Sequence, residues 1–567
     1  MKSLPHPGKH TRASRPTRLL RLLGWVAGLL LLLAGCRARP SSPEPLTAPF
    51  GPATATPFRP HTPTPIQWPT ATPTVTPTPI PPAFWVPQGI PWSLPGWRRV
   101  QDPSQAQVRL VVHADQPQGY RVFVVAVPAF HWAPLVTGQD VRDHWEGRPS
   151  RLGDARLFLS PETLAWFTAA WGPPAENRVE TVPADDLLRY AWGHMPGWTL
   201  LPWEALNPSW RVAMPLHTSP LTPAYEPAAD PLALPLAWEG ENTAAWHEAF
   251  PLGNRDPNRL TTVVLTGVTA LVRATAYTME IKGITYPAES LGPLLRQADI
   301  THISNEVPFD PHCPPPNPVQ QGLKFCSHPR YMALLEAVGT DVVELTGDHF
   351  NDRGPEAMRF TLEMYRERGW NYYGGGENLE DARRPVRLEH HGNRIAFLGC
   401  NAKGGGYATA SPTYPGAQAC QWEDMTRQVR ELRAEGYLPI VTFQHHELYV
   451  FDPPSSFKAD FRRMAQAGAI IVSGSQAHHP HGLEIYGPQG ETFIQYGLGN
   501  LFFDQKGVVP NGDWGFFVWH VFYGGRHLTA YPVPYRFVDF ARPELLSWEQ
   551  AEPLMRQVFA VSRRMEP

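Results

Sequence analysis

Five apolar segments, each running into a short polar cluster, constrain this chain more than any other feature. They are Thr261–Gly267, Ile300–Glu306, Val342–His349, Ile440–Glu447 and Ala469–His481. Helix-like segments alternate with them: Pro287–Gln297, Pro329–Val338, Pro355–Arg368, Thr426–Ala434 and Phe457–Ala467. Gly339, Gly369, Gly436 and Gly468 stand where helices end, because a left-handed residue closes the last turn most easily without a Cβ. Strand–helix alternation predicts a largely parallel sheet, and such sheets bind ligands outside the carboxyl ends of their strands. Four of these ends carry metal-ligand residue types: Asn305 with Glu306, Asp348 with His349, His445 with Glu447, and His479 with His481. The pattern predicts a metal-competent cleft between residues 259 and 538.

Each end has its own chemistry. Asp348 and His349 offer a carboxylate and an imidazole, a set suited to Zn, Mn or Fe. Asp352 is placed either to orient His349 from behind or, with Asn351, to cap the helix at Pro355. Strand alternation puts His445 and Glu447 on one side and His446 on the other. In Ser473–His481 three histidines fall within four residues of a glycine-bearing loop. There His479 and His481 read as ligands, with His478 beside the substrate. Val386–His390 with Arg394–Gly399, and Leu483–Tyr486 with Thr492–Tyr496, read as hairpins, so the sheet is mixed or consists of two packed sheets.

Several stretches together resemble the CapA-type capsule, or poly-γ-glutamate, biosynthesis family. They are Ala298–Ile300 through Asn305-Glu306, Thr346–His349 to Asp352–Gly354, His445 to Glu447, Ala467–Ala469 through His479-Pro480-His481, and Tyr496–Gln505. The last, Tyr-Gly-Leu-Gly-Asn-Leu-Phe-Phe-Asp-Gln, is the most specific. The resemblance covers about half the chain. It implies a metallophosphoesterase-like mixed-sheet α/β sandwich holding one or two divalent ions (Mn, Zn or Fe). The metal residues would be Asp348, His445, Glu447, His479 and His481. Catalytic roles would fall to His349, Asp352 and Glu306, and substrate-binding roles to Asn305, His478 and Asn500. One departure is sharp: the family's first strand ends in Gly-Asp, whereas this chain has Gly267-Val268, with Thr266 and Thr269 the nearest polar residues. One ion, or an altered pair, is the expectation.

The N-terminus sets the compartment. Six positive charges and no acid precede Leu22–Leu33, and Leu33-Ala34-Gly35-Cys36 resembles the lipobox of bacterial lipoproteins. Residues 1–35 therefore read as a signal peptide, with Cys36 as lipid anchor and the rest outside the cytoplasm. Losing the leader moves the net charge from -3 to about -9, which leaves no footprint for nucleic acid. Residues 36–83 are Pro/Thr-rich and read as a stalk reaching on the order of 140 Å. The other cysteines, Cys313, Cys326, Cys400 and Cys420, allow three connectivities. Those joining neighbours, Cys313–Cys326 and Cys400–Cys420, are favoured in an oxidising compartment.

Residues 84–241 read as a smaller α/β module. Its strands are Val108–His113, Tyr120–Val127 and Arg178–Val182, and a helix Pro161–Trp171 begins after Ser160. Its tryptophans (Trp132, Trp145, Trp166, Trp171, Trp192, Trp198) serve either as core or as a stacking surface for sugars. Residues 539–567 read as a helical tail. The chain is thus expected to be a surface-tethered protein handling an anionic cell-surface polymer, or partnering its synthesis machinery, with metal-dependent hydrolase-like chemistry. The alternatives are a polymer-binding scaffold on the same fold and a phosphodiesterase.

Overall fold

In a computed structural model, residues 81–240, 250–403 and 408–564 are described, with 243, 247 and 248 between the first two ranges. The leader, Cys36 and nearly all of the stalk lie outside the described residues. Two mixed sheets face each other in the second half. One runs Asn371–Tyr373, Val342–Glu344, Ile300–Asn305, Leu260–Leu265, Trp514–Tyr523, Arg526–Phe537, Pro543–Leu545. Its first four strands are parallel and the rest antiparallel. The other runs Val386–His390, Asn393–Asn401, Leu438–Gln444, Ile471–Ser473, Thr492–Gln495, Leu483–Tyr486, Arg563–Arg564. Both expected hairpins are antiparallel pairs in this second sheet.

The two sheets meet over one apolar layer that includes Val263, Leu265, Ile300 and Val342 from the first and Ile395, Phe397, Ile440 and Ile471 from the second. Helices cover the outer faces. Gly354–Glu367 places Met358, Leu362 and Tyr365 in the core outside the first sheet. Trp422–Ala434 and Ser455–Ala467 place Met425, Val429, Phe461 and Met464 outside the second. Burial on both faces explains why the strands read as unbroken apolar runs. The result is the mixed-sheet α/β sandwich expected from the hairpins and the family resemblance; the largely parallel order expected from alternation holds for four strands of the first sheet.

The first half adds a nine-stranded sheet in which Gly119–Pro128 and Ala233–Gly240 are central. Ser160 caps the helix Pro161–Trp171 through Thr163 N. Trp145, Trp166 and Trp198 are buried in its core, so these three do not form a stacking surface. This sheet is bonded to the sandwich: Thr529 Oγ1 donates to Trp210 O at 2.8 Å, and Tyr531 OH to Met214 O at 3.1 Å. From Pro79 onward the chain is one compact unit. The C-terminal segment contributes a helix, Glu552–Val561, and also two short strands, Pro543–Leu545 and Arg563–Arg564.

Candidate metal centre

The ends of four strands, Ile300–Asn305, Val342–Glu344, Asn393–Asn401 and Leu438–Gln444, converge on a cleft of about 810 Å³, lined among others by Arg273, Glu306, Asp348, His349, Lys403 and Glu447. At its floor one ligand atom from each of Glu306, Asp348 and His349 lies within 4.8 Å of the others. Gly347 makes this approach possible. A Cβ there would sit 2.7 Å from Glu306 O and 2.9 Å from its Cα, so only glycine lets the two strand ends come together. Two carboxylates and an imidazole fit a borderline divalent ion.

Asp352 settles which of its two roles it plays. Its Oδ2 accepts from His349 Nδ1 at 2.8 Å and from Phe325 N at 2.7 Å, while Arg353 occupies the helix cap. With Nδ1 engaged, His349 presents Nε2 to the cleft. Burial acts to lower the pKa of His349, but the bond to Asp352 and the charges of Glu306, Asp352 and Asp348 outweigh it and raise it to about 9.

On the opposite wall Gln444 Nε2 donates to Asp348 Oδ1 at 2.6 Å, and Lys403 Nζ reaches Asp348 Oδ2 at 2.7 Å and Glu447 Oε1 at 3.0 Å. Burial acts to raise the carboxyl of Asp348, yet the bond to Lys403 and its charge hold it below the usual range. Burial likewise works against Glu447, which is lowered on balance by the charges of His478 and Lys403.

His478 sits at positive φ (56°), which turns its ring inward. Its Nε2 lies 3.6 Å from Glu306 Oε1 and its Nδ1 donates to Asn500 Oδ1 at 2.7 Å. Asn500 in turn donates to Gln505 Oε1 at 3.0 Å, fixing its amide. Below the floor, buried Glu344 accepts from Thr346, which precedes Asp348, and from Ser475, which precedes His478. It ties the two loops together, and burial raises its carboxyl.

Several expected site residues lie elsewhere. His445 does not share a direction with Glu447. The strand ends at Gln444, so alternation stops there. His445 Nε2 pairs with Asp460 at 3.0 Å and its ring packs on Phe457. His479 and His481 do not line the cleft. Their rings are 5.6 Å apart, and their Nδ1 atoms are tied to Pro480 O and Val450 O. Within this run the left-handed turn selects His478 for the cleft instead. Asn305 points to the helix side, donating to Tyr365 OH and Val307 O. Asn500 supports His478 from behind and does not line the cleft. Val268 is buried, Thr266 Oγ1 donates to His302 O, and Thr269 Oγ1 is buried without a partner.

Other cleft residues were not singled out from the sequence. Lys403 follows the strand Asn393–Asn401, so the strand-end rule that flagged the others would have found it had that segment been read as more than a hairpin arm. Arg273, Lys324 and Phe325 also line the cleft, and no local spacing marks them; His446, which alternation directed away from Glu447, lines it too, because the strand ends at Gln444. Both disulfides, Cys313–Cys326 and Cys400–Cys420, are present. The first closes the loop that carries Lys324 and Phe325.

Residues 262–505 match the family described as "Bacterial capsule synthesis protein PGA_cap". The "Capsule biosynthesis protein CapA" of Bacillus anthracis is 30% identical over 177 residues, covering 30% of this chain and 42% of the relative. The "PGA biosynthesis protein CapA" of Bacillus subtilis is 30% identical over 174 residues, covering 30% and 45%. The chain thus spans under half the length of these relatives. Among solved structures, a 5'-nucleotidase precursor from Thermus thermophilus aligns with 52% of this chain and 59% of its own at 13% identity and a TM-score of 0.31. The NAD nucleotidase of Haemophilus influenzae aligns with 54% and 57% at 10% identity and 0.32. These scores are too low to carry weight. The sequence match thus makes residues 262–505, under half of the chain, similar to the bacterial capsule synthesis (PGA_cap) family.

Proposed function

We propose that this protein acts at the cell surface in the synthesis or processing of an anionic capsule-type polymer, binding the polymer in the cleft over Glu306, Asp348 and His349. One observation carries the reading. A trio able to hold a divalent ion is ringed by Arg273, Lys324 and Lys403, so a chain of net charge -3 places three cations where a polyanion must enter. Arg273 is held there by Asp504 at 2.7 Å and lies over the Phe503 ring. A divalent ion on Glu306, Asp348 and His349 would act as a Lewis acid toward a carbonyl or phosphoryl oxygen. Lys403 and Arg273 would orient carboxylates of the chain, and Asp352 would hold the tautomer and direction of His349. Attachment through a lipid on Cys36, with the Pro/Thr-rich segment as spacer, belongs to the same proposal.

A polymer-binding scaffold is the second reading, and Val268 favours it, since the strand end beside the cleft offers no ligand atom. Elemental mass spectrometry on the purified protein, with gel analysis of poly-γ-glutamate chain length and a retention assay, separates the two. Bound metal together with shortening that is lost in Glu306→Gln supports a hydrolase. Retention without shortening supports the scaffold. Neither metal nor retention refutes both.

A further inference from the structure

Among the described residues, Lys403 is the cleft cation that touches two carboxylates directly. Its backbone N–H donates to Asn401 Oδ1 at 2.9 Å, which fixes the stem at the end of its strand. Its Nζ is 2.7 Å from Asp348 Oδ2 and 3.0 Å from Glu447 Oε1. The remaining acceptors are occupied: Asp348 Oδ1 takes Gln444 at 2.6 Å, and Glu447 Oε2 takes the hydroxyl of Tyr449 at 2.8 Å. The ammonium thus completes a satisfied group of charges with one face still open to the cleft. On the strand next to Glu306, Val268 contributes no ligand atom.

We propose that Lys403 serves as a built-in second cation, occupying the point between Asp348 and Glu447 where another metal ion would bind, so that the cleft takes a single divalent ion at Glu306, Asp348 and His349. This rests on the metal-binding reading above. The physical argument is competition for the same oxygens. Lysine is a compact point charge with three donors, and at these distances its bonds are charge-assisted. A divalent ion on Asp348 Oδ2 would have to displace it or sit against it at like charge. A carboxylate pair that would otherwise recruit metal is thereby bridged and half neutralised without one. The ammonium keeps a donor for an anionic group of substrate, which a metal-free carboxylate pair would repel.

The test is metal stoichiometry, independent of any activity. The chelator-treated full protein, Lys403→Ala, Lys403→Met and Lys403→Arg are titrated with Mn²⁺ by calorimetry and counted by elemental mass spectrometry, with thermal melts as folding controls. One ion is expected in the parent and in Lys403→Arg. Two are expected in Lys403→Ala and Lys403→Met, the added one at least tenfold weaker than the first and lost again in Glu447→Gln/Lys403→Ala. Two ions in the parent would overturn the proposal and leave the metal reading intact. A count of one in every folded variant would do the same. No ion in any of them would overturn the proposal and the metal reading together.

Discussion

Asp352→Asn isolates what a single charge does to this site. Both hydrogen bonds at Asp352 go to the same oxygen, from His349 Nδ1 at 2.8 Å and Phe325 N at 2.7 Å. An asparagine carbonyl can accept both, so the substitution keeps the geometry and removes the charge. His349 stands at about 9 in the folded protein against an ordinary value of 6.5. A rise of that size corresponds to roughly 3 kcal/mol of differential stability, and the pair is mostly buried, with side chains 23% and 15% exposed. Because the folded pKa is raised, this stability is fully present below pH 6.5 and is lost as pH climbs through about 9. Asp352 is the leading upward influence, and Glu306 and Asp348 remain in the variant. We expect the His349 pKa to fall by at least one unit, with a stability loss of about 1–2 kcal/mol at pH 6 that vanishes by pH 10. The assay is urea unfolding of chelator-treated protein from pH 6 to 10, beside NMR titration of the His349 ring. An unchanged His349 titration in the variant, or a deficit as large at pH 10 as at pH 6, would refute the reasoning.

Other outcomes follow from the same structure. His527 and His481 are held neutral, each lowered to about 3 by burial. Unfolded histidines take up protons below about 6.5, so stability should fall with acid, by about 2 kcal/mol per such histidine at pH 5. His527→Phe should flatten the dependence of the urea midpoint between pH 6.5 and 5, and an unchanged slope contradicts the assignment. Gly347→Ala drives a Cβ onto the Glu306 backbone. It should cost about 1–3 kcal/mol and weaken Mn²⁺ binding at least tenfold, read by calorimetry on protein that still melts cooperatively. Opening Cys313–Cys326 as a double serine variant should cost about 3 kcal/mol and weaken poly-γ-glutamate retention, because Lys324 and Phe325 ride on that loop; unaltered retention separates the loop from the cleft.

The sequence determined the repeated strand–helix order, the hairpins and the strand ends that form the cleft, because burial on both faces writes long apolar runs and glycine marks where helices stop. It also put Glu306, Asp348 and His349 at one sheet edge, since each lies within a few residues of a strand end, but it assigned the metal to Asp348 with His445, Glu447, His479 and His481, and only the fold grouped Glu306 and His349 with Asp348. Beyond the last ladder residue, alternation stops predicting direction. His445 turned to Asp460 once the strand ended at Gln444, and in the histidine run one left-handed residue, His478, was turned into the site while His479 and His481 were not. Lys403, Arg273 and Lys324 are far apart in the chain and share no motif. Tertiary structure alone made them neighbours, because charges meet over the edge of a sheet only after the sheets have packed.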